Sequence, residues 1–201
     1  MGGVVRARKG RAARTIVVVG AVTVAALAVI AAFVLTRPGS LRPAPPGDRT
    51  APDVEVVMYQ GEAAVGGTKV RLSQLWGKRR PVVVNFWAGL CPPCRAELPE
   101  FQALYDQKAQ GRFFLIGVDI GPFVGLGSRE EGKALLRELN ITFPVGTTFD
   151  TRPLSAYQIL GMPTTVFITA EGRILRKYVG LLTRTQMDTF VAELLKASNT
   201  R

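Results

Sequence analysis

Cys91-Pro92-Pro93-Cys94 stands where an apolar run, Val82 to Trp87, gives way to a helical pattern that begins at Pro92 and continues to about Ala109. A strand that hands a C-x-x-C pair to a helix N-terminus implies an α/β arrangement with redox capacity. The first sulfur lies among the unpaired N–H groups of the opening turn, where the helix dipole favours a thiolate. The second lies one turn in, close enough to close a small disulfide ring. These are the only cysteines in the chain, so they pair with each other or with a partner protein. A purely structural disulfide is the weaker reading, because a ring closed over two residues constrains the unfolded chain little. Half of a zinc site is the other, but the chain has no histidine and no further cysteine to complete it.

The absence of histidine also removes Ser-His and Cys-His nucleophile pairs. Proton chemistry must use carboxylates, Tyr, Lys, the thiols or water. No metal site and no cofactor beyond the cysteine pair is expected.

The net charge of +11 suggests a nucleic-acid partner until it is divided along the chain. Residues 1–52 hold eight Lys/Arg and one acid, a balance of +7, and residues 53–201 hold the remaining +4. The excess is in the tail, and with no basic-aromatic stripe no nucleic-acid binding is expected.

Thr15 to Thr36 is a run of 22 residues without a charge. At about 1.5 Å per residue it spans a bilayer core as a helix. Arg6, Arg8, Lys9, Arg11 and Arg14 precede it with no acid among them. The positive-inside rule then places residues 1–14 in the cytoplasm and everything after Arg37 outside. The alternative is a cleaved signal peptide, whose apolar core would be shorter and followed by a small-x-small site. Either way the domain is exported. Residues 37–52 carry five prolines and read as an extended linker, leaving 53–201 as the folded domain.

Within that domain Val54–Tyr59 and Lys69–Leu72 read as strands around a Gly61–Gly67 loop, and Ser73–Trp76 as a helical turn. Lys78-Arg79-Arg80 reads as a solvated charged turn. Val82–Trp87 and Phe113–Val118 have the continuous apolar character of strands covered on both faces. Pro99 should bend the helix that contains it. Ile120–Gly127 lacks the ending of a phosphate loop and reads as flexible. Ser128 with Glu131 forms a capping box for a helix carrying Leu135, Leu136 and Leu139. A short extended piece at Phe143–Val145 and a short helix in Asp150–Leu160 follow. Thr164–Thr169 and Ile174–Val179 form a hairpin, and Met187, Phe190, Val191, Leu194 and Leu195 give the last helix, from about Arg184 to Ala197, an apolar face. The order implies a mixed central sheet with helices on both faces.

Asn85-Phe86-Trp87-Ala88 followed by Cys91-Pro92-Pro93-Cys94-Arg95-Ala96-Glu97-Leu98-Pro99 resembles the active site of TlpA/ResA-like membrane-anchored thiol–disulfide oxidoreductases. Gly161-Met162-Pro163-Thr164-Thr165 is similar to their cis-proline loop. Ala51-Pro52-Asp53, Leu72-Ser73-Gln74-Leu75 and Phe143-Pro144 with Asp150 match further segments, so the resemblance covers residues 51–196 or so. It implies a thioredoxin-like fold with an N-terminal β extension and a central insertion. It implies Cys91 as nucleophile and Cys94 as resolving thiol, with Pro92 and Pro93 shaping the turn. Pro163 becomes the cis-proline, and Met162, Thr164 and Leu90 line the substrate surface. Leu90 departs from the tryptophan usual before the first cysteine. Glu97 takes the place of an acid that tunes the thiols and moves protons, against a solvated helix charge as the plain alternative. Asn85 stands where ordinary thioredoxins keep a buried aspartate, and an amide cannot accept that proton. Trp76 and Trp87 read as packing residues.

The resemblance implies an enzyme that reduces disulfides of extracytoplasmic proteins, apocytochrome c in cytochrome c maturation among them, with a membrane thiol protein as electron donor. An oxidant that makes disulfides is the rival within the same chemistry. A thioredoxin-fold metallochaperone would need C-x-x-x-C and a histidine, and a peroxidase would need P-x-x-x-[TS]-x-x-C; this chain has neither.

Overall fold

A computed structural model describes residues 49–109 and 111–199. The predicted tail, apolar span and most of the linker lie outside them. Among the described residues no helix is long and apolar enough to cross a membrane.

Strands β1 (Glu55–Gln60) and β2 (Lys69–Arg71) form an antiparallel hairpin. Between them α1 (Glu62–Val65), flanked by left-handed glycines at 61 and 66, replaces the loop expected there. A turn, α2 (Leu72–Trp76), leads to β3 (Val82–Trp87) and then α3 (Pro92–Leu104). A π-helical turn, Tyr105–Ala109, continues α3. Pro99 lies inside α3 and faces solvent, so the backbone donor it lacks is missing on the wet side. β4 (Phe114–Asp119) is followed by α4 (Gly121–Val124) and α5 (Arg129–Glu138). The segment read as flexible is therefore partly helical. The Ser128–Glu131 capping box opens α5 as expected.

The extended piece expected at Phe143–Val145 is displaced: the strand is β5, Val145–Thr147. After α6 (Arg152–Ala156) come β6 (Thr164–Ile168), β7 (Ile174–Val179) and α7 (Arg184–Asn199). The sheet order is β2-β1-β5-β4-β3-β6-β7. β3 is parallel to β4 and β4 to β5, whereas β6, β7 and the N-terminal hairpin run antiparallel to their neighbours.

Alternation along the central strands sorts the core into two layers. Val83, Trp87, Leu115 and Phe167 face α3, α5 and α7, meeting Leu98, Phe101, Leu135, Met187 and Val191. Val82, Val84, Phe86, Ile116, Val166 and Ile168 face the other way, onto Leu72, Leu75, Val56 and Tyr157. Each fully buried side chain of this size contributes roughly 1.5–3 kcal/mol.

The sheet also takes in residues read as linker. Thr50 bridges Arg173, and the Ala51 N–H donates to the Gly172 carbonyl at 2.8 Å. The charged turn is less solvated than expected, because the Arg80 guanidinium lies 3.7 Å from the centre of the Phe114 ring.

Candidate active site

β3 ends at Trp87 and the chain turns through Ala88-Gly89-Leu90 to Cys91, the N-cap of α3. Cys91 and Cys94 form a disulfide with Cα atoms 5.2 Å apart. Pro92 and Pro93 occupy the first two helical positions and carry no N–H. The first donor of the helix is therefore the Cys94 N–H, and it points at the Cys91 sulfur over 3.2 Å. In the reduced protein that N–H and the positive end of α3 would both favour the charged form of the Cys91 sulfur. Cys91 keeps 3% of its surface exposed and Cys94 none. Pro92 and Pro93 are exposed, and Leu90 is 55% exposed beside them.

Glu97, one turn beyond Cys94, is 1% exposed, so it is no solvated surface charge. One carboxylate oxygen accepts the Leu182 N–H at 2.7 Å, and the other accepts the Asn85 amide at 3.0 Å. Asn85 also donates to the Thr165 hydroxyl at 3.1 Å. Burial pushes the Glu97 carboxyl up to about 7, against the opposing pull of these two hydrogen bonds. It therefore exchanges its proton near neutral pH, one turn from the buried sulfur. The position held by Asn85 still shapes the site, by fixing the acid it cannot replace.

The Met162–Pro163 bond is cis. The register Phe86↔Thr164 sets Pro163 at the sheet end where β3 turns toward Cys91. The Pro163 carbonyl accepts the Gly180 N–H at 2.8 Å, and the Thr164 hydroxyl donates to the Gly161 carbonyl at 2.7 Å. Met162 is half-buried against the layer that holds both cysteines and Leu182. Cys91, Cys94, Glu97, Met162, Pro163 and Thr164 thus gather at one end of the sheet. Trp87 is fully buried and Trp76 packs on the opposite layer, so both are core residues.

A second buried acid, Asp119, was not singled out by the sequence. It ends β4 opposite Trp87 in the register. It accepts the Gly121 N–H at 2.9 Å and the Tyr59 hydroxyl at 3.1 Å. Burial pushes its carboxyl up, and burial together with Asp119 pushes the Tyr59 phenol up. Asp119 anchors the start of α4, and the loop that follows returns to the site, where the Leu126 carbonyl accepts the Leu90 N–H at 2.8 Å. Gly89 packs on α5 so closely that a Cβ there would lie 2.7 Å from the Gly132 nitrogen. The signal in the sequence was an acid closing an otherwise apolar strand.

The chain matches the AhpC/TSA family over residues 48–177. Thiol-disulfide oxidoreductase ResA of Oceanobacillus iheyensis is 31% identical over 149 residues, covering 74% of this chain and 73% of that protein. ResA of Bacillus subtilis is 30% identical over 135 residues, covering 67% and 70%. Among solved structures, a thiol:disulfide interchange protein DsbE from Chlorobium tepidum superposes with a TM-score of 0.61 at 23% identity, over 74% of this chain and 96% of that one. With its sulfur pair on a helix N-terminus and these relatives beside it, the chain belongs to the AhpC/TSA family as a thioredoxin-like thiol–disulfide oxidoreductase of the ResA type.

Proposed function

We propose that this enzyme is an exported, membrane-tethered reductant of protein disulfides. The Cys91 thiolate attacks one sulfur of a substrate disulfide, forming a mixed disulfide and releasing the other substrate sulfur as a thiolate. The Cys94 thiolate then attacks the Cys91 sulfur and releases the second substrate thiolate. Both substrate sulfurs leave reduced, and the enzyme keeps the Cys91–Cys94 disulfide. A membrane thiol protein donates the two electrons that restore the dithiol, so no cofactor beyond the cysteine pair is needed. Glu97 takes the proton from Cys94 as it becomes the attacking sulfur. Leu90, Met162, Pro163 and Thr164 bound the surface where an extended substrate segment lies.

The observation that carries this reading is the pairing of a half-capped sulfur at the α3 N-terminus with a buried acid that titrates near neutrality. The uncharged run from Thr15 to Thr36, behind five positive charges, supports tethering with the N-terminus in the cytoplasm and the domain outside. In that location apocytochrome c, whose haem-attachment thiols must be reduced, is a substrate of the right chemistry. The equilibrium reduction potential of the Cys91–Cys94 pair against glutathione tests direction: a value well below the glutathione poise fits a reductant, and one well above it makes the enzyme an oxidant.

A further inference from the structure

At the end of the sheet away from the disulfide, Arg79, Arg80 and Arg112 line a surface cleft of about 290 Å³, closed on its far side by Leu195, Ser198 and Asn199 of α7. Among the described residues no carboxylate lines it. Arg79 and Arg112 are exposed, and neither takes part in an ion pair among the described residues. Arg80 is held in place by stacking on Phe114, whose N–H donates to the Pro81 carbonyl at 2.9 Å. Three arginines lining one concavity suit a phosphate, which exposed guanidinium groups can meet with paired N–H donors.

The cleft has a fixed relation to the rest of the chain. Pro81 immediately precedes β3 and Cys91 follows it, so the six residues of β3, about 20 Å of strand, separate arginines from sulfurs. The chain joins the sheet at the arginine end: Thr50 bridges Arg173, and the Ile174 N–H donates to the Arg49 carbonyl at 2.8 Å. The registers Val82↔Ile168 and Ile168↔Ile174 put that junction level with the start of β3. The Ala170 N–H donates to the Ser198 hydroxyl at 3.3 Å, tying the β6–β7 turn to the cleft wall. Arg49, the first described residue, therefore stands at the arginine end of the sheet.

We infer that the Arg79–Arg80–Arg112 cleft docks on the phosphate headgroups of anionic phospholipids, holding this end of the domain on the membrane and turning the disulfide away from it. The inference rests on the membrane tether proposed above. Three basic groups at an anionic surface strengthen association on the order of 100-fold, an effect that fades as salt shortens the reach of the charges.

The test uses the full chain in nanodiscs of phosphatidylcholine alone or with phosphatidylglycerol added, read by amide hydrogen exchange around Arg79, Arg112 and the last turn of α7. The control is the double variant Arg79→Asn, Arg112→Gln; asparagine accepts the left-handed backbone at position 79, where φ is 56°. Exchange in these segments should slow by about tenfold or more in the anionic discs, recover at high salt, and slow far less in the variant. Equal exchange in the two discs, or slowing undiminished in the variant, overturns the docking. So does equal slowing by inorganic phosphate added to the phosphatidylcholine discs, which would make the cleft a site for free anions. A chain that enters neither disc overturns the tether and the docking together, whereas one that enters both without protection overturns the docking alone.

Discussion

Replacing Glu97 by Gln should remove most of the acid-to-neutral slope in the stability of the oxidised enzyme. Glu97 is buried, and its carboxyl is raised from an ordinary 4.5 to about 7 by that burial. The folded state thus binds the proton more tightly than the unfolded chain. The stabilisation is fully present below about pH 4.5 and is lost as pH rises through about 7. At ~1.4 kcal/mol per decade of proton affinity, the gap is worth about 3 kcal/mol. Glutamine is neutral throughout and close in shape. Its oxygen can keep the Leu182 N–H, and its amide can donate to the Asn85 oxygen, which has no partner, if that side chain turns over. Urea unfolding of both proteins between pH 4 and pH 8, with the disulfide intact so that no thiol titrates, gives the two slopes. Wild type should lose about 3 kcal/mol more than the variant across that window. Parallel curves would refute the placement of Glu97 as a buried acid with a raised pKa.

Further outcomes follow from the same geometry. In the reduced enzyme, Glu97→Gln should lower the pKa of at least one cysteine, because an ionised carboxylate one turn away opposes a second negative charge; thiolate absorbance titrations that overlay would contradict this. Cys94→Ala should trap substrates on Cys91 as reducible adducts, and brief alkylation of the reduced enzyme should label Cys91 first; equal trapping by Cys91→Ala would reverse the roles. Pro93→Ala adds an N–H to the first turn and should lower the Cys91 pKa by about 0.5, read by the pH dependence of alkylation. Gly132→Ala would set a Cβ 2.4 Å from an Asp119 carboxylate oxygen, and should cost about 1–3 kcal/mol in urea unfolding.

The parts of this molecule that announce themselves in sequence are those whose neighbours are local. The continuous apolar strands β3 and β4, the capping box at Ser128 and Glu131, and the cysteine pair between strand and helix were all legible for that reason. Glu97 was only half legible. Its helical position gives its distance from Cys94, but the groups that hold it, the Leu182 N–H and the Asn85 amide, come from other parts of the chain. β5 was displaced by two residues because three residues are too few to show alternation. The Gly-rich stretch after Asp119 reads as mobile because the Asp119 carboxylate that accepts the Gly121 N–H is fixed in turn by Tyr59, sixty residues earlier. The basic turn looked solvated because the ring beneath Arg80 belongs to a later strand.

The place of β5 in the sheet has a consequence for assembly. β1 and β2 precede the other strands in the chain and need only each other to form a hairpin. Yet the inner edge of β1 finds its partner only at β5, after β3, α3, β4 and α5 have been made. Until then the hairpin presents an open row of backbone donors and acceptors, the kind of edge that recruits other chains. Such distant pairings are also slow to form. A strand of three residues thus decides when the hairpin stops being a liability and becomes part of the sheet. Lesions at Val145–Thr147 should therefore appear first as sluggish or aggregating maturation, in molecules whose sulfur chemistry, once folded, is intact.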